Sequence, residues 1–164
     1  MNLQKFKPNN KNTFVSRYQT TGEIAGAIVK AIDESKPTAN ELKKFFENSN
    51  PKTSAKLIFI FCKNAVPYNK EPGTRQTAKT VNRILWDAKK HGGDCKHYAT
   101  LCASLCKALN IPVKLRLISQ RHDTKQPNHI YAVAIIDGKE VIIDPVLKTF
   151  DTEARYDHKF DINL

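Results

Sequence analysis

A cysteine lies where a glycine turn runs into a predicted helix, in the segment Gly92-Gly93-Asp94-Cys95-Lys96-His97-Tyr98. The first N–H groups of a helix have no partner within the helix and carry a partial positive charge, so they favour a thiolate there. Downstream, the chain supplies His129 and then Asp144. A thiolate, an imidazole that transfers a proton and a carboxylate that orients the imidazole can break an amide bond through a thioester. We therefore predict that Cys95, His129 and Asp144 form a catalytic triad.

The residues around this cysteine are candidates for contacts with a substrate. Glycines would let the backbone approach a substrate closely, and the Cys95 N–H is a natural donor to an oxyanion. For the second oxyanion donor, Trp86 and Gln76 lie upstream, and no spacing argument selects either of them. Four residues are predicted to contact the substrate: Gly93, Asp94, Trp86 and Tyr131.

A predicted hairpin brings His129 and Asp144 to one side of a sheet. Two alternating segments flank Asp137-Gly138, a pair that favours a two-residue turn. With such a turn Tyr131 opposes Asp144, and residues two apart on a strand share a face. His129 and Asp144 then become diagonal neighbours, with Cβ atoms about 7 Å apart. A three-residue loop would reverse this parity and separate the two side chains.

Helical patterns precede the alternating segments, which predicts an α+β fold with N-terminal helices packed on an antiparallel sheet. Residues 1–20 are polar and basic and are predicted to form a flexible arm, whereas residues 21–164 form a single domain. Helices are predicted over 24–32, from Thr38, from Thr53 or Ser54 (where a buried strand is the alternative), over 78–88, and from Cys95 to about 109. Strands are predicted over 113–117, 129–136 and 140–144.

The composition favours a globular protein that needs no cofactor. The chain of 164 residues is long enough for one core, and no apolar run approaches the roughly 20 residues of a membrane span. Three of the four cysteines lie in one predicted helix, and the N-terminus lacks the apolar segment of a signal peptide. We therefore expect reduced thiols and a cytoplasmic location. The histidines and cysteines between 91 and 106 lack the spacing of a zinc site, so no metal is predicted.

The formal net charge of +11 is large for this length. It is compatible with an acidic partner or with nucleic acid, although the lysines are dispersed and no nucleic-acid-binding motif accompanies them. We expect no membrane partner, and the sequence does not indicate an oligomeric state.

Four segments resemble the core of the transglutaminase-like superfamily, over about residues 55–146. In chain order they are Gly93-Asp94-Cys95-Lys96-His97-Tyr98-Ala99, Leu105-Cys106-Lys107-Ala108-Leu109-Asn110-Ile111-Pro112-Val113, Asn128-His129-Ile130-Tyr131 and Ile143-Asp144-Pro145. The resemblance implies a papain-like fold with Cys95 as nucleophile, His129 as base and Asp144 as orienting acid. Tyr131 occupies a position where a tryptophan is more usual in the family.

The resemblance also implies an enzyme that cleaves or transfers an amide acyl group through a cysteine thioester. We favour a thiol protease or amidase that acts on a protein or peptide amide. Protein-glutamine cross-linking is one alternative, because the same triad serves when an amine accepts the acyl group. A catalytically silent phage or virion structural module, or a nucleic-acid-binding module, is another. The small size and basic charge are similar to compact bacterial and phage-encoded members, and calcium dependence is not implied.

Overall fold

Five α-helices and six β-strands form within the residues that the computed structural model describes, which are 3–8, 13–16, 21–72, 76–120, 122 and 125–164. The helices are α1 (Thr21–Glu34), α2 (Lys36–Leu42), α3 (Pro51–Ala65), α4 (Val81–His91) and α5 (Cys95–Ala108). The strands are β1 (Thr13–Ser16), β2 (Gln76–Lys79), β3 (Val113–Ser119), β4 (His129–Ile136), β5 (Lys139–Ile143) and β6 (His158–Asn163). Helices precede the main sheet, which confirms the predicted α+β class.

The main sheet is antiparallel and has the strand order β5-β4-β3-β6. Helix α5 packs on its inner face against β4 and β3, with fully buried residues such as Leu101 and Leu105 meeting Leu115 and Ala132 in one core. Because α5 is apolar around most of its circumference, it is covered by the sheet on one side and by the other helices on the other. The nucleophile candidate therefore starts the most deeply buried helix of the fold.

The outer face of the sheet is organised around a buried arginine on β3. The Arg116 side chain is 1% exposed and donates to Asp161 on β6 (2.8 and 2.9 Å), to Glu140 on β5 (2.8 and 2.9 Å) and to Glu153 (2.6 Å). These charge-assisted hydrogen bonds join three strands and the connection before β6. They fix the C-terminal strand β6, which the sequence pattern did not assign.

Three local predictions differ from the structure. Ala78 belongs to strand β2 and not to a helix, because residues 76–79 pair with the distant strand β1 and the helix starts only at Val81. Helix α2 begins after Ser35 and not at Thr38, with a proline in its first turn, where proline is best tolerated. Residues 51–65 form the predicted helix and not the alternative strand, but the helix begins at Pro51, before the predicted Thr53 or Ser54, and is capped by the Asn50 side chain.

The predicted flexible arm over residues 1–20 is only partly described. Within it, Leu3–Phe6 forms a 3-10 helix, Phe6 is 5% exposed in the core, and β1 pairs with β2. These described parts are ordered elements of the domain, and the remainder of the arm lies outside the described residues. No helix within the described residues is long and apolar enough to cross a membrane.

Candidate active site

The start of α5 is held by a reciprocal cap. The Asp94 carboxylate accepts a hydrogen bond from the Lys96 N–H (3.2 Å), and the Asp94 N–H donates to Nδ1 of His97 (3.1 Å). Both capping side chains are buried, Asp94 at 2% exposure and His97 at 1%. Burial by itself raises the pKa of Asp94, but His97 and the Lys96 ammonium outweigh it and hold that pKa well below its usual range. Cys95, the first residue of the helix, is therefore held at a fixed point.

The two glycines before the cap lie close to residues 67–69, and Gly93 forms hydrogen bonds with that segment. Gly92 has φ 64°, and a Cβ there would overlap the Pro67 carbonyl oxygen. The Gly93 N–H donates to that oxygen (2.9 Å), and the Gly93 carbonyl accepts from the Asn69 N–H (2.8 Å). The space beside Gly93 is occupied by His97 and Val66, both 3.0 Å from an added Cβ. The expectation that Gly93 opens room for a substrate is therefore corrected, since it admits residues 67–69 instead.

The hairpin of β4 and β5 has the predicted two-residue turn. Asp137 and Gly138 have φ 51° and 73°, the positive values that such a turn requires, and Val133 pairs with Ile142 as expected. His129 Nε2 then lies 2.7 Å from Asp144 Oδ2. The structure therefore brings together the two residues that the register argument placed on one face.

Asp144 is fixed on both of its oxygens and is 2% exposed. Oδ2 meets the His129 ring, and Oδ1 accepts a hydrogen bond from the Val146 N–H at 3.1 Å. A carboxylate held in this way fixes the tilt of the imidazole, and a hydrogen bond at Nε2 leaves Nδ1 as the nitrogen available to a thiol.

His129 and Cys95 line the same cavity. Burial alone lowers the pKa of His129, but the hydrogen bond to Asp144 and the interaction with Cys95 outweigh it and raise the pKa to about 9. The ring is thus charged at neutral pH, and a positive imidazolium near sulfur stabilises a thiolate. The structure brings Cys95, His129 and Asp144 together, and their catalytic role stays a prediction.

A cavity of about 360 Å³ opens over Cys95 and His129. Its wall also includes Asp94 and Gln76, two of the residues singled out in the sequence. The Asp94 carboxylate is occupied by the helix cap and by an ion pair with Lys96. Gln76 donates its side-chain amide to the Pro72 carbonyl at 2.8 Å. The Asp94 carboxylate thus serves the helix cap, and substrate contacts by Asp94 and Gln76 stay predictions.

Trp86 and Tyr131 are not among the described residues that line this cavity. Trp86 is half-buried on α4. Tyr131 shares a face of β4 with His129, with the ring centroids 5.5 Å apart, but its hydroxyl donates to Glu153 at 2.8 Å. Their predicted substrate contacts are not supported by this geometry, and Tyr131 instead packs against the His129 ring.

Two parts of the wall were missed by the sequence reasoning. Tyr68 lines the cavity, and its backbone bridges to Gly93, two residues before the cysteine. Burial, followed by the negative charges of Cys95, Asp94 and Asp144, raises the pKa of Tyr68. The second part is α1, whose residues 24, 25 and 28 face the cavity. Neither contact had a local signal, because both depend on segments that are distant in sequence.

Among the described residues, no three histidine, cysteine, aspartate or glutamate side chains are grouped so as to hold a metal ion. Cys62, Cys102 and Cys106 are free and fully buried, and burial raises the pKa of the Cys102 and Cys106 thiols. Cys95 is the free cysteine that reaches the cavity.

A cysteine at a helix start, packed against antiparallel strands that carry a histidine and an aspartate, defines a papain-like α+β domain. The family model of the transglutaminase-like superfamily matches residues 38–145, and the chain belongs to that superfamily. No curated protein matches the sequence significantly.

Two solved structures match the chain at low sequence identity. A putative protease from Parabacteroides distasonis is 18% identical with a TM-score of 0.58, over 77% of this chain and 27% of that one. A putative cysteine protease from Cytophaga hutchinsonii is also 18% identical, with a TM-score of 0.49, over 81% of this chain and 48% of that one. The chain thus spans half or less of the length of these proteins. At this identity the first likeness shows the fold alone.

Proposed function

We propose that the domain is a cysteine-dependent amide hydrolase that acts on a protein or peptide through a Cys95 thioester. The observation that supports this proposal is the His129–Asp144 hydrogen bond next to Cys95 at the wall of an open cavity. A purely structural histidine would need neither a buried carboxylate partner nor a place beside a half-buried thiol in an open cavity.

In the acylation step, the Cys95 thiolate attacks the carbonyl carbon of the substrate. The S–C bond forms, the C–N bond breaks, and the His129 imidazolium gives its proton to the departing amine. Asp144 keeps the ring oriented and stabilises its charge. The Cys95 N–H, at the helix start, donates to the oxyanion, and the hydroxyl of Tyr68, which lines the cavity, is our candidate for the second donor.

In the deacylation step, neutral His129 takes a proton from water, and the resulting hydroxide attacks the thioester. The C–S bond breaks, the product leaves as a carboxylic acid, and the Cys95 thiolate and the His129 imidazolium are restored. Cys95 is half-buried and adjoins an open cavity, so water has access to the thioester. We therefore favour hydrolysis, and transfer to an amine is the alternative outcome.

The first test is the pH dependence of Cys95 alkylation by iodoacetamide, located by mass spectrometry. The assay is selective because the other three cysteines are fully buried. We expect Cys95 to react well below pH 8, where an ordinary thiol near pKa 8.5 is mostly protonated. His129→Ala should remove this reactivity, whereas His122→Ala, at a side chain that is 94% exposed, should not.

A Cys95 that reacts like a free thiol in both the parent and His129→Ala would refute the assembled triad. Turnover is then tested with a fluorogenic peptide mixture and Cys95→Ala as the blank. Incorporation of dansylcadaverine into casein, in place of peptide hydrolysis, would identify the cross-linking alternative.

A further inference from the structure

An apolar groove of about 580 Å³ lies between α1 and the β6 edge of the main sheet. Leu117 and Phe160 are cross-strand partners and point with Ile162 toward the helix side of the sheet. Phe160 is 49% exposed, which is unusual for a large side chain on the inner face of a sheet. On the helix side the groove is lined by Ala25, Gly26 and Val29. Every described residue that lines it is apolar.

The groove adjoins the cavity that contains Cys95 and His129. Ala25, Leu117 and Pro127 line both spaces. A peptide whose amide lies over Cys95 would therefore have this groove beside it, along α1 and toward Phe160.

A glycine of α1 borders this groove. Gly26 lies inside α1, and a Cβ added there would meet nothing within 4 Å. Neither packing nor a positive φ therefore requires glycine, although glycine lowers helix stability relative to alanine. The small residues Ala25 and Gly26 leave the inner-face positions Phe160 and Ile162 without full cover from the helix. The groove is therefore apolar and is only partly covered by α1.

We propose that this groove binds a large apolar side chain of the substrate, such as phenylalanine or leucine, beside the amide that Cys95 attacks. The inference rests on the proposed function, because the occupant is defined as part of its substrate. One methylene more or less in an apolar pocket already changes substrate discrimination by about 10- to 200-fold, so a whole apolar side chain should give a preference of at least about tenfold. The groove would thus select peptides by an apolar residue, independently of the positive charge of the surface.

The test compares peptide electrophiles that differ in one side chain. N-acetyl-Ser-Ser-Gly vinyl sulfone is the reference, and phenylalanine replaces either serine in two further probes. The second-order rate of Cys95 modification is measured by intact-protein mass spectrometry and is normalised to the rate with iodoacetamide. We expect one phenylalanine probe to react at least about tenfold faster than the reference.

Two variants at one position distinguish an effect on the groove from an effect on the reactivity of Cys95. Gly26→Leu places a side chain in the groove and should abolish the preference for phenylalanine, with an unchanged iodoacetamide rate. Gly26→Ala adds only a Cβ, leaves the groove open and should keep the preference. Equal rates for all probes with the parent protein, or a full preference in Gly26→Leu, would overturn the inference while leaving the proposed function intact.

If Cys95 proves unreactive and the proposed function fails, a binding measurement still tests whether the groove binds apolar side chains. In Cys95→Ala, titration with N-acetyl-Ser-Phe-Gly amide is followed by the backbone amide shifts of Gly26 and Phe160. Saturable shifts that are absent with N-acetyl-Ser-Ser-Gly amide would support the groove as a binding site for apolar side chains. Unchanged shifts would overturn it.

Discussion

Replacement of Asp144 by asparagine should change both the charge and the tautomer of His129. The introduced amide can keep the hydrogen bond from the Val146 N–H only by accepting it with its carbonyl oxygen. Its NH2 group then faces His129 Nε2, which must become an acceptor. The remaining ring proton moves to Nδ1, on the side of Cys95. A neutral ring in that tautomer cannot accept a proton from the thiol.

The magnitude follows from the raised pKa of His129. The difference between about 9 in the folded protein and the ordinary 6.5 corresponds to about 3 kcal/mol in favour of the charged ring. Without the Asp144 charge we expect the pKa to fall toward 6.5. At pH 7.5 the charged fraction of the ring would then fall from about 97% to about 9%, and Cys95 alkylation would slow about tenfold.

The same shift links stability to pH. Because the pKa is raised on folding, the stabilisation is complete below about pH 6.5 and is lost as the pH rises through about 9. The difference in unfolding free energy between the parent and Asp144→Asn should therefore be smaller at pH 10 than at pH 6.

The assay is a nitrogen-15 NMR titration of the His129 ring, together with iodoacetamide rates at pH 7.5. Asp33→Asn is the matched control, since it removes the same charge from an exposed side chain on α1 that forms only a weak pair with Lys107. If Asp144→Asn leaves the His129 pKa and the alkylation rate unchanged, Asp144 does not hold the imidazolium and the reasoning fails.

Three further predictions concern the oxyanion donor, the glycine turn and the buried arginine. Tyr68→Phe should lower kcat by about 10- to 100-fold with little change in KM. Tyr156→Phe is the control, and an unchanged kcat in Tyr68→Phe would remove Tyr68 from the mechanism. Gly92→Ala should lower the unfolding free energy, measured in urea, by more than about 1 kcal/mol. The matched control Gly26→Ala should raise it by up to about 1 kcal/mol. Equal effects of the two substitutions would contradict the role of the Gly92 turn. Arg116→Met should cost about 2 kcal/mol at pH 7, less than for a fully buried pair because its carboxylate partners are partly exposed. Hydrogen bonds from Arg116 lower the pKa of Glu140 and of Asp161 to about 2. The stabilisation is therefore present above about pH 4 and lost as the pH falls through about 2, and a cost that did not shrink near pH 2 would refute this account.

The parts of the site that could be predicted from the sequence are those with a local cause. Asp137-Gly138 sets the parity of its hairpin within two residues, so the side shared by His129 and Asp144 followed from the turn alone. The glycine–aspartate segment likewise marked the start of α5 at Cys95. These features depend on neighbours in sequence, which a pattern records.

The remainder depended on contacts between distant segments. Strand β2 forms because residues 13–16 pair with it, and β6 forms because Arg116 gathers carboxylates from three places. Tyr68 reaches the cavity only through its bridge to Gly93. No local pattern indicates such partners, and for the same reason Trp86 was placed at the site although α4 directs it elsewhere. The acidic or nucleic-acid partner of the basic surface stays a prediction.

A network of polar side chains centred on Glu71 lies next to the start of α5 and indicates how the site keeps its geometry. Glu71 accepts from the Thr77 N–H (2.7 Å) and lies within 3.8 Å of Lys79, of His97 and of Lys96. It thereby joins the segment after Tyr68, strand β2 and the first turn of α5. The His129–Asp144 pair is held separately, by the hairpin on the other side of the cavity. The sulfur and the imidazole thus belong to two separately braced segments, and the packing of α5 on β4 and β3 contributes to the distance between them. Substitutions in that packing layer should therefore alter Cys95 reactivity even where they touch no residue of the cavity.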